Sequence, residues 1–466
     1  MQISNLPLNS LDRSKMKTTI YRQKIPITGL FTGLLLLVSG PIWAGTIYSS
    51  DSFSADANIE IAGGALAGSE DYSTNNRGNV TWGESYFKFG LGGRYSPPSH
   101  NFEIYGAASA MHTATYGDGD LAGFSDGSES LVDLEDAYLG IKHRFQNRIS
   151  VDFSVGAQRF QIGDGFLIYN ELLSLGVGAG RDANRGGAYW LAGRKAFRKT
   201  AILKLDFPTP YRMDAFYLGS ENPGNGDLEI AGINIERISD DFGTLGITYF
   251  RGLKVDKNVL SGSLQKREGM DTYSIRANGT PVKNIFLSGE FAFQKNNGQG
   301  STDVSAHAWY TEVGYTFVKQ PFSPKLTYRY SFFSGNDPNT GTNEAFDPLF
   351  YSNSRGFGTW YQGEIAGNYS GPFSTNTGIH HASMALQIND KMSFNLLYFK
   401  FATDEPSANV SDDFGQELDL IFEWSPNDNF YVTPGYAMFI PGAGGKSTLA
   451  SVKTSHLFQL GIIYMY

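Results

Sequence analysis

The sequence predicts an all-β protein, a transmembrane antiparallel β-barrel of about 18 strands (16–20) with short periplasmic turns and long extracellular loops. After residue 44, apolar residues recur at every second position over runs of about 9–14 residues, the length that a tilted strand needs to cross a bilayer. The alternate positions carry charges in mid-strand, which favours a water-filled lumen over an apolar interior. Short and long connections also alternate, as they do in outer-membrane barrels.

Composition argues against a bundle of membrane-spanning helices. The 466 residues are 14% aromatic but only 41% hydrophobic, and the mean hydropathy is -0.26. Beyond the N-terminal segment no apolar run of about 18 residues occurs, so the sequence offers no spanning helix there. The chain contains no Cys, which excludes disulfides, thiol catalysis and Cys-metal sites.

Residues 1–44 read as a cleaved signal peptide, although Met16 is an alternative start. Lys15, Lys17, Arg22 and Lys24 precede the apolar stretch 25–38, and turn residues lead to a cleavage site after residue 44. Residues 45–466 then form a single barrel domain with 32 basic and 45 acidic residues. This negative balance argues against nucleic acid as a partner.

The strongest strand patterns lie in the second half of the chain. Tyr273 and Ile275 alternate with Arg276, for example, and the mid-strand charges expected on the polar face are Arg276, Glu290, Arg329 and Glu364. About nineteen candidate strands are found, whereas single-chain bacterial barrels have an even number. The strand directions counted from the two ends disagree between 335 and 376. We therefore expect 335–356 to fold into the lumen as a constriction.

The chain ends on an alternating strand, 456–466, whose residues Phe458 to Tyr466 at every second position should face lipid. A barrel needs such a strand to pair with the first one, so that no edge is left open. We expect it to close the barrel and to be recognised by the barrel-insertion machinery.

No motif predicts a catalytic, metal or cofactor site. Gly123–Gly127 matches G-x-S-x-G but has no helical pattern beside it, and Asp118, Asp120 and Asp126 lack the spacing of an EF-hand. No positioned Ser–His set is apparent. A barrel hydrolase of phospholipase or protease type and a closed structural or adhesive barrel remain alternatives to a channel.

A basic stretch, Arg181–Lys204, contains seven Lys or Arg residues and one acid. It is interpreted either as a surface loop that contacts lipopolysaccharide phosphates or as a cationic stretch beside the pore that attracts anionic solute. Arg212, Arg276 and Arg329 would extend the second arrangement. Acidic lumen residues, including Asp136 and Glu290, would oppose it and give a pore of both signs.

Several motifs resemble the alginate-export family of outer-membrane porins over roughly 130–370. They are V-D-L-E-D-A-Y from 132, G-A-Q-R-F from 156, R-G-G at 185, G-R-K-A-F from 193 and F-S-G-N-D-P from 333 with F-D-P-L-F from 346. The resemblance implies an 18-stranded barrel and diffusion of an acidic polysaccharide through an arginine-lined conduit. It also implies that Arg159, Arg194, Arg329 and Arg355 are cationic pore residues, with Asp136 and Asp347 as acidic counterparts. Strict alternation would place Arg159 outside unless a bulge intervenes.

The sequence therefore predicts a passive outer-membrane porin for a hydrophilic, anionic solute or polysaccharide. The partners expected are outer-membrane lipid and lipopolysaccharide, the insertion machinery and the solute. The predicted pore-lining residues are Asp136, Arg159, Arg194, Arg212, Arg276, Glu290, Arg329, Asp347 and Arg355.

Overall fold

The protein is represented by a computed structural model. It describes residues 45–73, 78–98, 101–146, 148–171, 173–180, 183–239, 242–256, 264–298, 303–350, 362–369 and 374–466. The predicted signal peptide lies outside these residues and stays a prediction.

Antiparallel strands dominate the described part of the chain. They are β1 (Gly45–Ser49), β2 (Phe53–Gly68), β3 (Val80–Tyr95), β4 (Phe102–Gly117), β5 (Ser130–Arg144), β6 (Ser150–Gln158), β7 (Phe197–Asp206), β8 (Tyr211–Gly219), β9 (Glu229–Ser239), β10 (Gly243–Lys254), β11 (Asp271–Val282), β12 (Ile285–Asn297), β13 (Asp303–Thr316), β14 (Lys325–Phe333), β15 (Thr377–Asn389), β16 (Met392–Thr403), β17 (Asp413–Asn427), β18 (Phe430–Pro441) and β19 (Ser455–Met465).

The barrel closes through the pairing of β19 with β2. Leu457 lies opposite Gly68 and Met465 opposite Glu60, while each strand from β2 to β19 pairs with the next in sequence. This closed ring has 18 strands, as predicted. The short strand β1 pairs with residues 54–57 of β2, beyond the part that β19 occupies, so it is a nineteenth strand outside the ring.

The alternation read from the sequence separates the two faces of the wall. On β11 the side chains of Tyr273 and Ile275 are exposed on the outside, whereas Arg276 is only 3% exposed on the inside. On β19, Phe458 is exposed and Leu457 is fully buried. Because successive strand residues point to opposite faces, this pattern gives an apolar outer surface and a polar lining.

The 18 strands of the ring are joined by eight connections of two to eight residues on one side and by nine connections of five to 43 residues on the other. One longer connection contains the short helix α1 (Ala443–Thr448). No helix among the described residues is both long and apolar enough to cross a membrane.

The described parts of the two longest connections, 159–196 and 334–376, both fold inward, although the sequence predicted this course only for 335–356. Phe166, from the first, packs between the rings of Tyr310 and Phe333 on the inner wall. Phe350, from the second, packs edge-on against Phe197, and it pairs with Ile168 of the first in a parallel bridge. Both connections thus enter the lumen and contact each other there. Their large apolar side chains are buried, which stabilises this inward position.

Candidate solute pathway

A row of inward side chains crosses six neighbouring strands at one level of the barrel. Cross-strand pairing places Glu312, Arg329, His381, Phe399, Glu417 and Phe439 in this order. A guanidinium nitrogen of Arg329 lies 3.6 Å from Glu312 and another lies 3.0 Å from Nδ1 of His381. The predicted pore residue Arg329 therefore lies inside and is paired with a carboxylate.

Arg276 occupies a similar position on the opposite side of β12. Its guanidinium lies 2.5 Å from a carboxylate oxygen of Glu236 and donates to Asn234 and Thr248. Gly163 of the first inward connection packs directly on this guanidinium, because a Cβ at that position would lie 2.7 Å from Nε. The predicted lining residue is inside, beneath an inward-folded segment.

Two other predicted residues also lie on inward positions of the wall. Glu290 accepts a hydrogen bond from Ser274, and Arg212 donates to the buried carboxylate of Asp214 at 3.1 Å. Charges of both signs are therefore present on the lining. The cationic stretch that Arg212, Arg276 and Arg329 were expected to extend is instead a series of separate arginine–carboxylate pairs.

Asp136 lies on the inside of the barrel because β5 bulges next to it. Pairing with β4 shifts between Ala108 and Ala110, which leaves an extra residue on β5, and both Glu135 and Asp136 then contribute to the lumen side. The Asp136 carboxylate accepts from Lys88 at 2.5 Å and from Ser109 at 2.7 Å.

Arg159 follows the last residue of β6 and also lies on the inside. The register between β6 and β7 shifts after Gly156, whose φ of +124° is a conformation that favours glycine. Of the negative charges that act on the guanidinium, those of Asp136 and Glu60 have the largest effect. The outward position that strict alternation would give Arg159 is therefore wrong, and the bulge is the reason.

The basic stretch is divided between the lumen and the rim. The Arg194 side chain is 1% exposed, donates to the carbonyl of Arg185 at 3.2 Å and lies 3.7 Å from Asp133. Desolvation, followed by the charge of Arg159, lowers the pKa of Lys195 to about 8. The surface-loop interpretation is therefore wrong for Arg194, although Lys199 at the start of β7 is exposed.

Asp347 anchors the second inward connection to the wall. Its carboxylate receives hydrogen bonds from Nε and Nη2 of Arg267, and its backbone exchanges two hydrogen bonds with the Gln294 side chain. Burial would raise the pKa of Asp347, but the charges of Arg267 and Lys266 outweigh it and lower the pKa to about 2. Of the described part of the expected constriction, 343–350 packs on the inner wall, whereas Asn336 and residues 338–341 are exposed. Arg355 lies outside the described residues.

Sequence reasoning missed several lumen residues or placed them wrongly. Glu60 and Lys88 were not selected, although both are inward charges opposite each other on β2 and β3 and the alternation marks them. Glu364 was expected in mid-strand, but it lies in the second inward connection, just before a 3-10 turn, Ala366–Asn368. The lumen-facing position of Glu364 is thus correct and its secondary structure is wrong.

The G-x-S-x-G match and the aspartates near it, which predict no catalytic or metal site, have structural roles. Ser125 of the G-x-S-x-G match is buried and bonds to Asp120, and the Asp126 carboxylate accepts from the backbone of Ser128. Among the described residues, no group of three or more His, Asp or Glu is placed to hold a metal ion. One Ser–His pair does form, because Ser130 Oγ lies 2.9 Å from Nε2 of His112 on the outer face.

The sequence match to a known family covers most of the second half of the barrel. Residues 243–455 match the family model described as Alginate export. This range begins with the first residue of β10 and ends with the first residue of β19. The predicted family resemblance is confirmed over these residues, whereas the motifs at 132–197 lie outside the match. No curated protein sequence matches the chain.

Solved structures similar to this barrel include several from Pseudomonas. OccK5 (OpdH) of Pseudomonas aeruginosa has a TM-score of 0.56 and 12% identity, covering 88% of this chain and 97% of that one. A BenF-like porin from Pseudomonas fluorescens Pf-5 has a TM-score of 0.58 and 11% identity, covering 88% and 98%. OpdK of Pseudomonas aeruginosa, solved with vanillate, has a TM-score of 0.57 and 10% identity, covering 88% and 98%. At these identities the likeness establishes the fold alone, a closed antiparallel β-barrel of the kind that these structures have.

Proposed function

We propose that the protein is a passive channel of the Gram-negative outer membrane for a hydrophilic, anionic solute or polysaccharide. The observation that carries this proposal is the lining: arginine–carboxylate pairs face inward from β8 to β14, while the opposite positions of the same strands are apolar. A soluble barrel has a polar exterior, so an apolar exterior around a charged interior indicates a barrel that is surrounded by lipid. The alginate-export match supports a conduit for acidic polymer. Lipid, lipopolysaccharide and the insertion machinery, through β19, are the partners that this location requires.

An anionic solute agrees with the position of the basic residues. Arg159, Arg194 and Lys195 come together where the first inward connection returns to the wall. Arg194 is buried and its Nη1 lies 3.7 Å from Asp133, so it contributes positive charge to this cluster rather than a direct contact with solute. The many acidic residues nearby argue for an organic anion that also presents hydroxyl groups rather than for a bare anion.

Planar-bilayer recording with the purified, refolded protein tests the channel. We expect stepwise increases in current as single barrels insert, and a solution of an oligouronate should produce brief blockades. Identical recordings with a neutral oligosaccharide of similar length serve as the control. A protein that inserts, as judged by protease protection, but gives no steps would overturn the proposal.

The outer-surface pair of Ser130 and His112 is the one observation that favours a hydrolase. The distance of 2.9 Å suits a nucleophile and its base. However, the structure gives no carboxylate or amide that bonds to Nδ1 of His112 within the described residues, so the base lacks an orienting group. Phospholipid or peptide hydrolysis that is lost in Ser130→Ala would establish the enzyme in place of the channel.

A further inference from the structure

The end of the second inward connection is held against β17 by one carboxylate. Glu417 accepts hydrogen bonds from the backbone N–H groups of Ile365 at 2.8 Å and Ala366 at 2.6 Å. Gly363 approaches the same carboxylate so closely that a Cβ would lie 2.6 Å from its Cδ. The segment 362–369 therefore rests on Glu417.

A second carboxylate belongs to the docked segment itself. Glu364 is 5% exposed and accepts from Nε1 of Trp190 at 3.2 Å and from Nε2 of Gln459 at 2.8 Å. These contacts link the segment to the first inward connection and to β19. Glu364 thus lies where three parts of the lumen meet.

A third carboxylate lies two residues after Glu417, on the same face of β17. Asp419 is fully buried, and neither of its oxygens accepts a hydrogen bond of good geometry, although the backbone N–H of Glu364 is close enough to act on its carboxyl. Its carboxyl lies beside that of Glu417, and the charges of Glu417 and Glu364 act on it. A buried carboxylate without a well-placed donor is costly, whereas a protonated Asp419 can donate a hydrogen bond to Glu417.

The elements around these three residues supply no compensating cation. On β16 and β18 the partners of Asp419 and Glu417 are Leu397, Phe399, Ala437 and Phe439. His381 stacks on the far side of Phe399. Tyr72, on which Glu417 acts, and Glu84, which accepts from the backbone of Trp190, lie near the segment. Tyr369 belongs to the segment and is acted on by Asp71 and Asp120, and the Tyr189 hydroxyl donates to Asn368. Within the described residues, no Lys or Arg forms an ion pair with Glu364, Glu417 or Asp419.

We propose that Glu364, Glu417 and Asp419 form a protonation-dependent latch that keeps 362–369 docked in the lumen at acidic pH and releases it as the pH rises. In the docked state Glu417 accepts the two backbone hydrogen bonds while its neighbours are neutral. When Glu364 and Asp419 ionise, three negative charges face one another without a cation, and withdrawal of the segment separates Glu364 from the wall.

The direction of the pH effect follows from Glu364, which lies outside the spanning strands. Burial raises the pKa of Glu364 from 4.5 to about 7, and the charge of Glu417 adds to this rise. Docking is therefore strongest below the undocked pKa and weakens as the pH rises from 4.5 to about 7. This difference changes the docking equilibrium by up to roughly 300-fold.

The other end of the same connection should not respond. Asp347 remains ionised over this range because the charges of Arg267 and Lys266 lower its pKa to about 2. The latch therefore releases one part of the connection and leaves 343–350 anchored. Its consequence for conductance rests on the proposed channel function, but its movement does not.

Thiol reactivity tests the movement directly, because the natural chain contains no Cys. Ala366 is fully buried in the docked segment, so Ala366→Cys reports release to a water-soluble thiol reagent. Ala306→Cys, buried on β13 beside the anchored part, is the matched control, and exposed Ser407→Cys corrects for the pH dependence of the thiol itself. We expect the corrected rate at Ala366→Cys to rise at least tenfold from pH 5 to pH 8, with no rise at Ala306→Cys.

Two substitutions mimic the protonated latch. In the Ala366→Cys background, Glu364→Gln and Asp419→Asn should each keep the thiol protected at both pH values. Glu423→Gln, on the same strand but bonded to Ser393, Asn395 and Tyr431, should retain the unmodified response. Equal rates at pH 5 and pH 8 without these changes, or an unaltered pH response in both Glu364→Gln and Asp419→Asn, would overturn the latch.

Bilayer recordings then separate the latch from the channel. If the protein conducts, conductance should be higher at pH 8 than at pH 5, and Glu364→Gln should hold it at the lower level throughout. If the thiol reacts in a pH-dependent way but the protein conducts at no pH, the latch proposal stands and the channel proposal is overturned. If the protein shows conductance steps but the reactivity of the thiol does not change with pH, the channel proposal stands and the latch proposal is overturned.

Discussion

Arg276 illustrates how single charges are accommodated inside the barrel wall. Its guanidinium is almost fully buried and is paired with Glu236, Asn234 and Thr248. Desolvation of an arginine is costly, and the cost is offset only when its donors find acceptors. The paired charges of the lining therefore shape the lumen and must be removed together if the wall is to remain stable.

Arg276→Met should destabilise the barrel more than the double variant Arg276→Met/Glu236→Gln. The single change leaves the Glu236 carboxylate without its cation, which costs about 3–5 kcal/mol for a buried pair. Urea-induced unfolding in lipid vesicles measures the difference. Equal destabilisation of the single and double variants would show that the ion pair is not the reason.

The sequence predicted which strand residues face the lumen wherever alternation is regular. Arg276, Glu290 and Arg329 were all placed correctly because each lies in the middle of an unbroken strand. For Arg159 strict alternation alone would give the wrong face, and only the family resemblance assigned it to the pore, because a bulge changes the face to which the following residues point. Whether a bulge forms depends on the partner strand. In the sequence the bulge is marked only by one glycine, which cannot be distinguished from the many others.

At the scale of the element, β6 is short and ends in that bulge. Gly156 adopts φ +124°, and a Cβ there would clash with the backbone carbonyl of Ala137 on β5. This conformation brings Arg159 to the inside and starts the first inward connection. The bulge thus determines where the chain leaves the wall.

Gly156→Ala should therefore reduce the stability of the barrel by about 1–3 kcal/mol, the usual cost of strained backbone. Gly63→Ala on β2 is the matched control, because no atom lies within 4 Å of a Cβ there. The effect is measured by gel electrophoresis of unheated samples, as the fraction of protein that migrates as the folded barrel. If the Gly156→Ala and Gly63→Ala barrels were equally stable, this role for the bulge would be contradicted.

The inward course of the two longest connections was only partly predictable. Their Gly, Asn and Asp content is that of any surface loop, and the sequence does not distinguish the outside from the lumen on this basis. The failure of strand parity between 335 and 376 did indicate that 335–356 is unusual. Phe166, Phe346 and Phe350 are the residues that could have marked both segments, since large apolar side chains in loops require a surface to cover them.

At the scale of the whole molecule, the strand number follows from how the ends meet. The ring of 18 strands was predicted, and β1 accounts for a nineteenth strand that does not belong to it. The charged rows inside this ring extend from Glu312 and Arg329 to the acidic latch on β17. The two inward connections span the space between these regions, so charge and packing together determine the path that a solute can take.

The central claim is that the inward charges line the path of a permeating solute, and the reversal potential in a salt gradient tests it most directly. Arg329→Ala removes a lumenal cation beside Glu312, whereas Arg251→Ala removes the partner of Asp271 on the outer face. We expect Arg329→Ala to shift the reversal potential towards cation preference, with a change of about twofold in the permeability ratio, and Arg251→Ala to leave it unchanged. Equal reversal potentials for the natural protein and Arg329→Ala, in channels of unaltered conductance, would contradict the account.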